Sequence, residues 1–483
     1  AREHPCEAPG LVERRRPLAE LVGNLQERLA AGVGEADDIS ALQDQRDGLV
    51  LDSARVLVAL GVDIGVQTVV EREIRKRVRS RVGRFFDALY GFAFEYVRTH
   101  PDLERGFAVD EAMFEGFYEA LRAFEEVSDD EAVSWVLNNM GMLLTDLGLP
   151  MRAEKSFRQG LAIARARRDK PMEGVLQANY GECLIAMADG YIAAMVAKDP
   201  SKAPLAENVV MVENARRIAP GEGLWASLTG APGGYKIPVA DPVSQQVGVM
   251  TVAPGADGKP TMFGVRLKRE NGRIVEAEHL IGNALGESQI ANLQAPRPAL
   301  LREVPYEYAD SRGRMIWLGK SYYDALDDNN SNLSPMADDC ERRENGFQTA
   351  RNPMVRPAPA GPANGQTDPT FAYLGGLGCA AQMDTNMWEY IDTIDDRRVD
   401  IADPVTGLVW GQSHFRHDMA EDRYRLLGVP GAEWRVINRA GGGGGFDMPA
   451  AHIYKVWGGQ IHEIEAVGWT APYMSPSWSQ LTE

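Results

Sequence analysis

The sequence predicts an α+β protein, with an all-α amino-terminal region followed by two copies of one helix-plus-sheet domain. Three observations carry that prediction. Apolar residues recur every three or four positions through the first third of the chain, a block near the middle returns ungapped 131 positions later, and a β-hairpin signature closes each copy. In the block, Tyr191, Ala194, Pro204, Ala206, Glu213 and Asn214 are matched by Tyr322, Ala325, Pro335, Ala337, Glu344 and Asn345. Further on, Ala240 to Val243 (ADPV) returns as Ala402 to Val405, and Lys268 to Glu278 as Lys455 to Glu465. The offset thus grows from 131 to 162 to 187. Such growth marks surface insertions between retained elements, with the second copy the larger. The domains implied are 1–182, 183–295 and 306–483.

Taken in order, Leu18 to Asp189 reads as successive helices, clearest at Ser53 to Leu60 and Gly83 to Val97. Around Tyr191 a helix ends at Asp199-Pro200, and short β-rich runs separated by Gly, Pro and Asp follow. Met262 to Lys268 and Ile274 to Ile281 flank Asn271-Gly272, the strongest short hairpin signal. Gln294 to Pro305, with three prolines, reads as the linker. The second copy repeats the pattern: a helix at Tyr322 to Asp327, then Ile453 to Val456 and Ile461 to Val467 around Gly458-Gly459. Its extra length includes a Pro/Gly/Ala-rich loop at Pro353 to Pro369, a short helix expected around Met383 to Ile391, and five glycines at Gly441 to Gly445, which read as a mobile tip.

Composition bounds the function. The 483 residues are 44% hydrophobic and 25% charged, as in ordinary globular proteins. A net charge of -18 argues against nucleic acid or an anionic membrane surface as the main partner. No apolar run approaches the roughly 18 to 20 residues of a membrane span. The chain opens at Ala1 without Met, consistent with a removed signal peptide or a chosen boundary. Cys6, Cys183, Cys340 and Cys379 are too dispersed for a zinc motif. Cys340 and Cys379 bracket the longest insertion, so a disulfide closing it is expected, two buried thiols being the alternative; the disulfide favours a periplasmic or secreted location.

Two resemblances sharpen this. Asn138 to Ala164, with Gly141, Leu144, Gly148, Ala153 and Phe157 at the small and large positions of a helix pair, resembles a tetratricopeptide repeat, and Asn179-Tyr180-Gly181 with Leu184 starts a weaker second copy. That resemblance implies packing within a helical domain, with a protein partner docking there as the alternative. The leading helix, the Pro-containing crossover and the closing hairpin YKVWGGQIHEIEAV resemble the nuclear transport factor two-like superfamily, over about Cys183 to Trp478. Within it, Ala186 to Trp225 and Tyr454 to Trp478 are similar to a group of secreted bacterial and fungal proteins carrying two such domains. The resemblance implies two cones, each a curved antiparallel sheet wrapped on helices with an open end for a small molecule. Because that superfamily serves isomerases, cyclases, hydrolases and inert binders, the fold leaves the chemistry open. The catalytic motifs of its ketosteroid isomerases and limonene epoxide hydrolases are not found here.

Four of the seven histidines, His414, His417, His452 and His462, lie in the second copy. A metal at His414 and His417 is disfavoured, since three-residue spacing on a strand sends the rings to opposite faces. His414 and His452 fall on strands expected to be neighbours; if their face looks into the cone, His452 is a candidate general base with Asp324 or Tyr323 as partner. Trp388, Tyr390, Trp410 and Tyr454 are candidate walls for a small hydrophobic or aromatic ligand, core packing being the alternative. Paired carboxylates Glu276/Glu278 and Glu463/Glu465 read mainly as a solvent face. With no phosphate loop, nucleophile elbow or HExxH helix, no cofactor and no metal are assigned. Two functions remain: a binding or assembly protein for a small hydrophobic molecule, and a cofactor-independent lyase, isomerase or hydratase working by acid/base catalysis in the second cone. A homo-oligomer is compatible with either.

Overall fold

The computed structural model describes residues 128–352, 369–430, 433–436 and 444–482, with 117, 118, 120–122, 124 and 125. The helices expected at 53–60 and 83–97, the Pro-rich loop up to residue 368, glycines 441–443 of the expected tip, and His4, Cys6 and His100 lie outside the described residues. The chain divides into two compact units between Leu143 and Leu144. Helix α1 (Asp130–Asp146) runs through that point.

The second unit opens with α2 (Pro150–Arg167) and α3 (Lys170–Val196). Both carry proline in the first turn, where its missing N–H is not needed, and Asp169 caps α3 by accepting from Met172 N at 3.1 Å. Phe157 of α2 stacks on Tyr180 of α3 with centroids 5.8 Å apart. Below this pair Glu154 accepts from the Tyr180 hydroxyl at 3.0 Å and forms a buried ion pair with Arg269. Helix α3 is unbroken across residues 182 and 183, so it both ends the helical region and leads the first sheet domain.

That domain holds β1 (Leu205–Glu213), β2 (Arg216–Arg217), β3 (Lys236–Asp241), β4 (Gln246–Pro254), β5 (Pro260–Glu270) and β6 (Arg273–Ile281), in the order β2-β1-β6-β5-β4-β3. After a linker with two short helices, α4 (Arg312–Asp327) leads the second domain. Its strands are β7 (Met336–Glu344), β8 (Phe347–Ala350), β9 (Thr393–Asp403) and β10 (Leu408–His417), then, beyond a separate β11–β12 ribbon (Arg423–Arg425, Trp434–Val436), β13 (Phe446–Trp457) and β14 (Gln460–Gly468). The order β8-β7-β14-β13-β10-β9 is the first sheet's order repeated. A two-residue β15 (Ala471–Pro472) pairs with the start of β13.

The expectation of purely antiparallel sheets needs one correction. Strands β1 and β6 pair parallel, as do β7 and β14. After β1 the chain crosses to the far edge of the sheet, and the antiparallel meander from β3 to β6 brings it back alongside β1 in the same direction. Both closing hairpins turn through two left-handed residues, Asn271 and Gly272 at φ 49° and 79°, Gly458 and Gly459 at φ 59° and 77°. That is the type I′ geometry matching strand twist. Asn214 and Asn345 are equivalent turn residues: each is left-handed, and each bonds the end of the neighbouring strand, Asn214 through Ile281 N at 2.8 Å and Asn345 through Gly468 N at 3.0 Å.

The insertions of the second copy fall between β8 and β9 and between β10 and β13. Cys340 on β7 is disulfide-bonded to Cys379, which opens the short helix Cys379–Met383. The helix expected at 383–391 thus lies earlier, and turns follow it, with Asn386 in the left-handed region.

The two sheets pack against each other through the faces turned away from their leading helices. Ile237, Val239, Met250 and Met262 from one meet Ile401, Leu408, Trp410, Ile453 and Val467 from the other in a single apolar cluster. Glycines make room for the largest member: a Cβ at Gly248 would lie 2.5 Å from the Trp410 ring, and one at Gly264 2.9 Å. This packing overturns the solvent-face reading of the paired glutamates. Glu278 is held by Arg266 at 3.2 Å and by Arg398 of the other sheet at 2.8 Å, while Glu463 and Glu465 meet Arg297 of the linker at 2.9 and 3.1 Å.

Candidate functional site

Alternation along β10 and β13 sorts the candidate residues. Val409, Gly411, Ser413, Phe415 and His417 share the inner face of the second cone with Ala450, His452, Tyr454 and Val456; Trp410, Gln412, His414 and Arg416 face the other sheet. His414 and His452 therefore do not converge, contrary to expectation, because the register pairs His452 with Gly411 and His414 with Pro449, so that an even position on one strand shares its face with odd positions on the other. Trp410 is likewise not a wall of the cone but the centre of the sheet–sheet contact.

Inside the cone, α4 lays Tyr322 and Tyr323 against His452 and Tyr454. The Tyr323 hydroxyl and His452 Nδ1 are 3.2 Å apart, and the His452 and Tyr454 rings stack within 3° of parallel. Burial, reinforced by the positive charge of Arg342, brings His452 down to about 3, so its imidazole is neutral at physiological pH. Burial pushes Tyr323 up to about 12 and Tyr454 well above its ordinary value. The two hydroxyls hold their protons, the imidazole stays neutral, and all three groups are closed to solvent; the base of the cone is a polar-tipped aromatic core. Asp324 does not reach it. One residue further round the helix than Tyr323, it points outward, and its carboxylate accepts from Arg397 Nη1 at 2.7 Å.

Towards the end of the sheet that carries both insertions, the aromatic run continues. Phe415 lies 6.5 Å from His417, which stacks on Phe446 at 4.1 Å and on Tyr390 at 5.4 Å, and Tyr390 in turn meets Tyr424 and Trp388, both at 6.2 Å. Arg342 lies under Trp388 at 4.7 Å and Arg435 over Tyr390 at 5.0 Å. Gln382 orients Arg342 by accepting from its Nη2 at 2.7 Å, and Asn329 holds the insertion by accepting from Trp388 N at 2.9 Å. Tyr390 and Phe446 are half-buried here. Trp388 Nε1 is buried without a hydrogen-bond partner among the described residues. Burial lowers His417 to about 4. Trp388, Tyr390, Tyr323 and Tyr454 thus belong to one aromatic column, the first two at its outer end.

The first cone holds a cluster the sequence reading passed over. His279 on β6 bonds the Tyr191 hydroxyl through Nε2 at 2.8 Å and faces Glu213 through Nδ1 at 3.3 Å; Glu213 also accepts from Leu224 N at 2.7 Å. Tyr191 and Glu213 stand among the repeated residues, but His279 corresponds to Ala466 in the second copy, so the repeat gave no signal for it. Tyr191 and His279 are both fully buried.

A small polar cavity of about 20 Å³ lies between the sheets, walled in part by Glu278, Asp396, Arg398, Gln412 and His414 and roofed by Pro476 and Trp478. His414 Nε2 meets Ser475 Oγ at 3.1 Å, Arg416 Nη1 at 3.2 Å and Asp447 Oδ2 at 3.3 Å. Burial and the adjacent Arg416 lower its pKa despite Asp447. Among the described residues no group of three or more His, Cys, Asp or Glu is placed to hold a metal ion, and no helix is long and apolar enough to cross a membrane.

Residues 308–468 match a family model described as Domain of unknown function (DUF8021), which spans the second domain from the end of the linker to the last residue of β14. Comparison with curated proteins finds no match, and neither does comparison with solved structures.

Proposed function

We propose that the chain is a binding protein without chemistry of its own, which takes a small aromatic or hydrophobic molecule at the outer end of the second cone, between Trp388, Tyr390 and Tyr424. The supporting observation is the buried, unpartnered Nε1 of Trp388 beside the half-buried Tyr390 ring. A donor desolvated without an acceptor costs roughly 1 to 3 kcal/mol, which a ligand oxygen would recover. The lyase or isomerase alternative is less well supported, because His452 has a pKa far from that of a general base at neutral pH and no path to a substrate. The same reading takes both domains as nuclear transport factor two-like cones, on the strength of a leading helix, a crossover and one shared strand order, and takes α2 with α3 as a tetratricopeptide-like pair that packs instead of recruiting.

Titration calorimetry of the full chain with 1-naphthol, an aromatic ring bearing one oxygen, tests the site. Tyr390→Ala and Trp388→Phe, which keeps the ring but deletes the donor, should each weaken binding about tenfold or more, as a lost stack or hydrogen bond of about 1.4 kcal/mol requires. Unchanged affinity in both variants would refute the assignment.

A further inference from the structure

We infer that the cleft between the two sheets is a second binding site, for an uncharged electron-rich aromatic molecule, and that the chain's own Trp478 occupies it. The residues that fill the cleft come from a strap after β14, outside the family match. Ser475 anchors this strap on Asp447, donating from N at 2.7 Å and from Oγ at 3.0 Å, and its carbonyl accepts from Arg416 Nη1 at 2.6 Å. The chain then passes over the cleft and lays the Trp478 ring against two guanidinium groups, Arg266 from the first sheet at 4.6 Å and Arg398 from the second at 5.0 Å. Facing cations of this kind favour an electron-rich π-face.

The walls are permanent and the roof is not. Arg266 is fixed by Gln246 at 2.7 Å and by Glu276 at 2.8 Å, and Arg398 by both oxygens of Glu278 at 2.8 and 2.9 Å, so both planes stay in place whatever covers them. Charge is balanced there: Arg266, Arg398 and Lys268 face Glu276, Glu278 and Asp396, which is why an uncharged ligand fits better than an acid. Trp478, by contrast, is half-buried and its indole makes no hydrogen bond among the described residues; the turn after it is tied by Ser479 donating to Asp396 and by Ser477 N donating to Gln480. Below the indole the cavity adjoins Arg398 Nε, which lies 3.6 Å from Asp396 Oδ1 and makes no hydrogen bond among the described residues, so a hydroxyl-bearing ring would meet a donor as well as two cations.

The test uses 5-hydroxyindole and the full chain, in wild-type form and as Trp478→Ala. Hydrogen–deuterium exchange of the wild type should show faster exchange over residues 473–482 at saturating 5-hydroxyindole, because the ligand must displace the strap. Calorimetry should show at least tenfold tighter binding by Trp478→Ala, which no longer competes, and loss of that gain when Arg398→Gln is added. Trp478→Ala leaves the outer end of the second cone intact, so this outcome is separable from the 1-naphthol result. Exchange over 473–482 that is unchanged or slowed, or Trp478→Ala binding no tighter than wild type, would overturn the inference and reduce Trp478 to a structural roof.

Discussion

Replacing Trp410 with Ala tests whether the two sheet domains share one core. The indole is buried between the sheets over Gly248 and Gly264, which have no side chains to fill the space it leaves. A tryptophan buries roughly 150 to 250 Å², worth about 4 to 6 kcal/mol at about 25 cal/mol per Å². Its Nε1 is buried without a hydrogen-bond partner among the described residues, so the substitution also relieves a penalty of roughly 1 to 2 kcal/mol. The expected net loss is about 2 to 5 kcal/mol, read as a lower urea midpoint by far-ultraviolet circular dichroism. Gly248→Ala alone should cost roughly 1 to 3 kcal/mol by overpacking, since its Cβ would meet the indole. In the Trp410→Ala background the same methyl enters empty space and should cost almost nothing. The cycle therefore predicts a coupling of more than about 1 kcal/mol. Additive losses, or a Trp410→Ala loss below about 1 kcal/mol, would refute the shared core.

Other consequences follow from the buried groups. Replacing Cys340 and Cys379 together with Ala should cost about 3 to 4 kcal/mol, as expected for opening a loop with a sequence separation of 39, and non-reducing peptide mapping should recover the two as one cross-linked species. Glu278→Gln should cost roughly 3 to 5 kcal/mol at pH 7, because Arg266 and Arg398 lose a shared carboxylate. Burial acts to raise Glu278, yet the two arginines hold it below the ordinary range, so its stabilisation is present at neutral pH and lost on acidification. Glu465 behaves oppositely: burial outweighs Arg297 and raises it, so its contribution is lost as pH rises through the folded value, and Glu465→Gln should be neutral or stabilising at pH 7. For His452, with a folded pKa of about 3 against roughly 6.5 unfolded, stability present above the unfolded value falls as pH drops, by roughly 2 kcal/mol at pH 5. His452→Phe should flatten that slope in urea titrations at pH 7 and 5, whereas an imidazole seen by NMR to titrate near 6.5 would contradict its burial.

Much of this architecture was written in local pattern. The growing offset between repeats announced two copies of one domain, Asn271-Gly272 and Gly458-Gly459 marked both hairpins, and the positions of Cys340 and Cys379 marked the insertion they tie to β7, because turn chemistry, periodicity and spacing are properties of neighbouring residues. Faces and partners were not legible in this way. Alternation told which residues share a side of a strand, but not which side meets helix and which meets another sheet. Hence Trp410 and His414 were assigned to a cone they turn away from, and the paired glutamates to a solvent that the opposite sheet excludes. His279 joined Tyr191 and Glu213 across 88 and 66 residues of chain with no repeat to announce it. The sequence by itself determined the elements and their duplication. Only the tertiary structure decided burial, because the packing of one sheet on another rests on non-local contacts that no window of sequence contains.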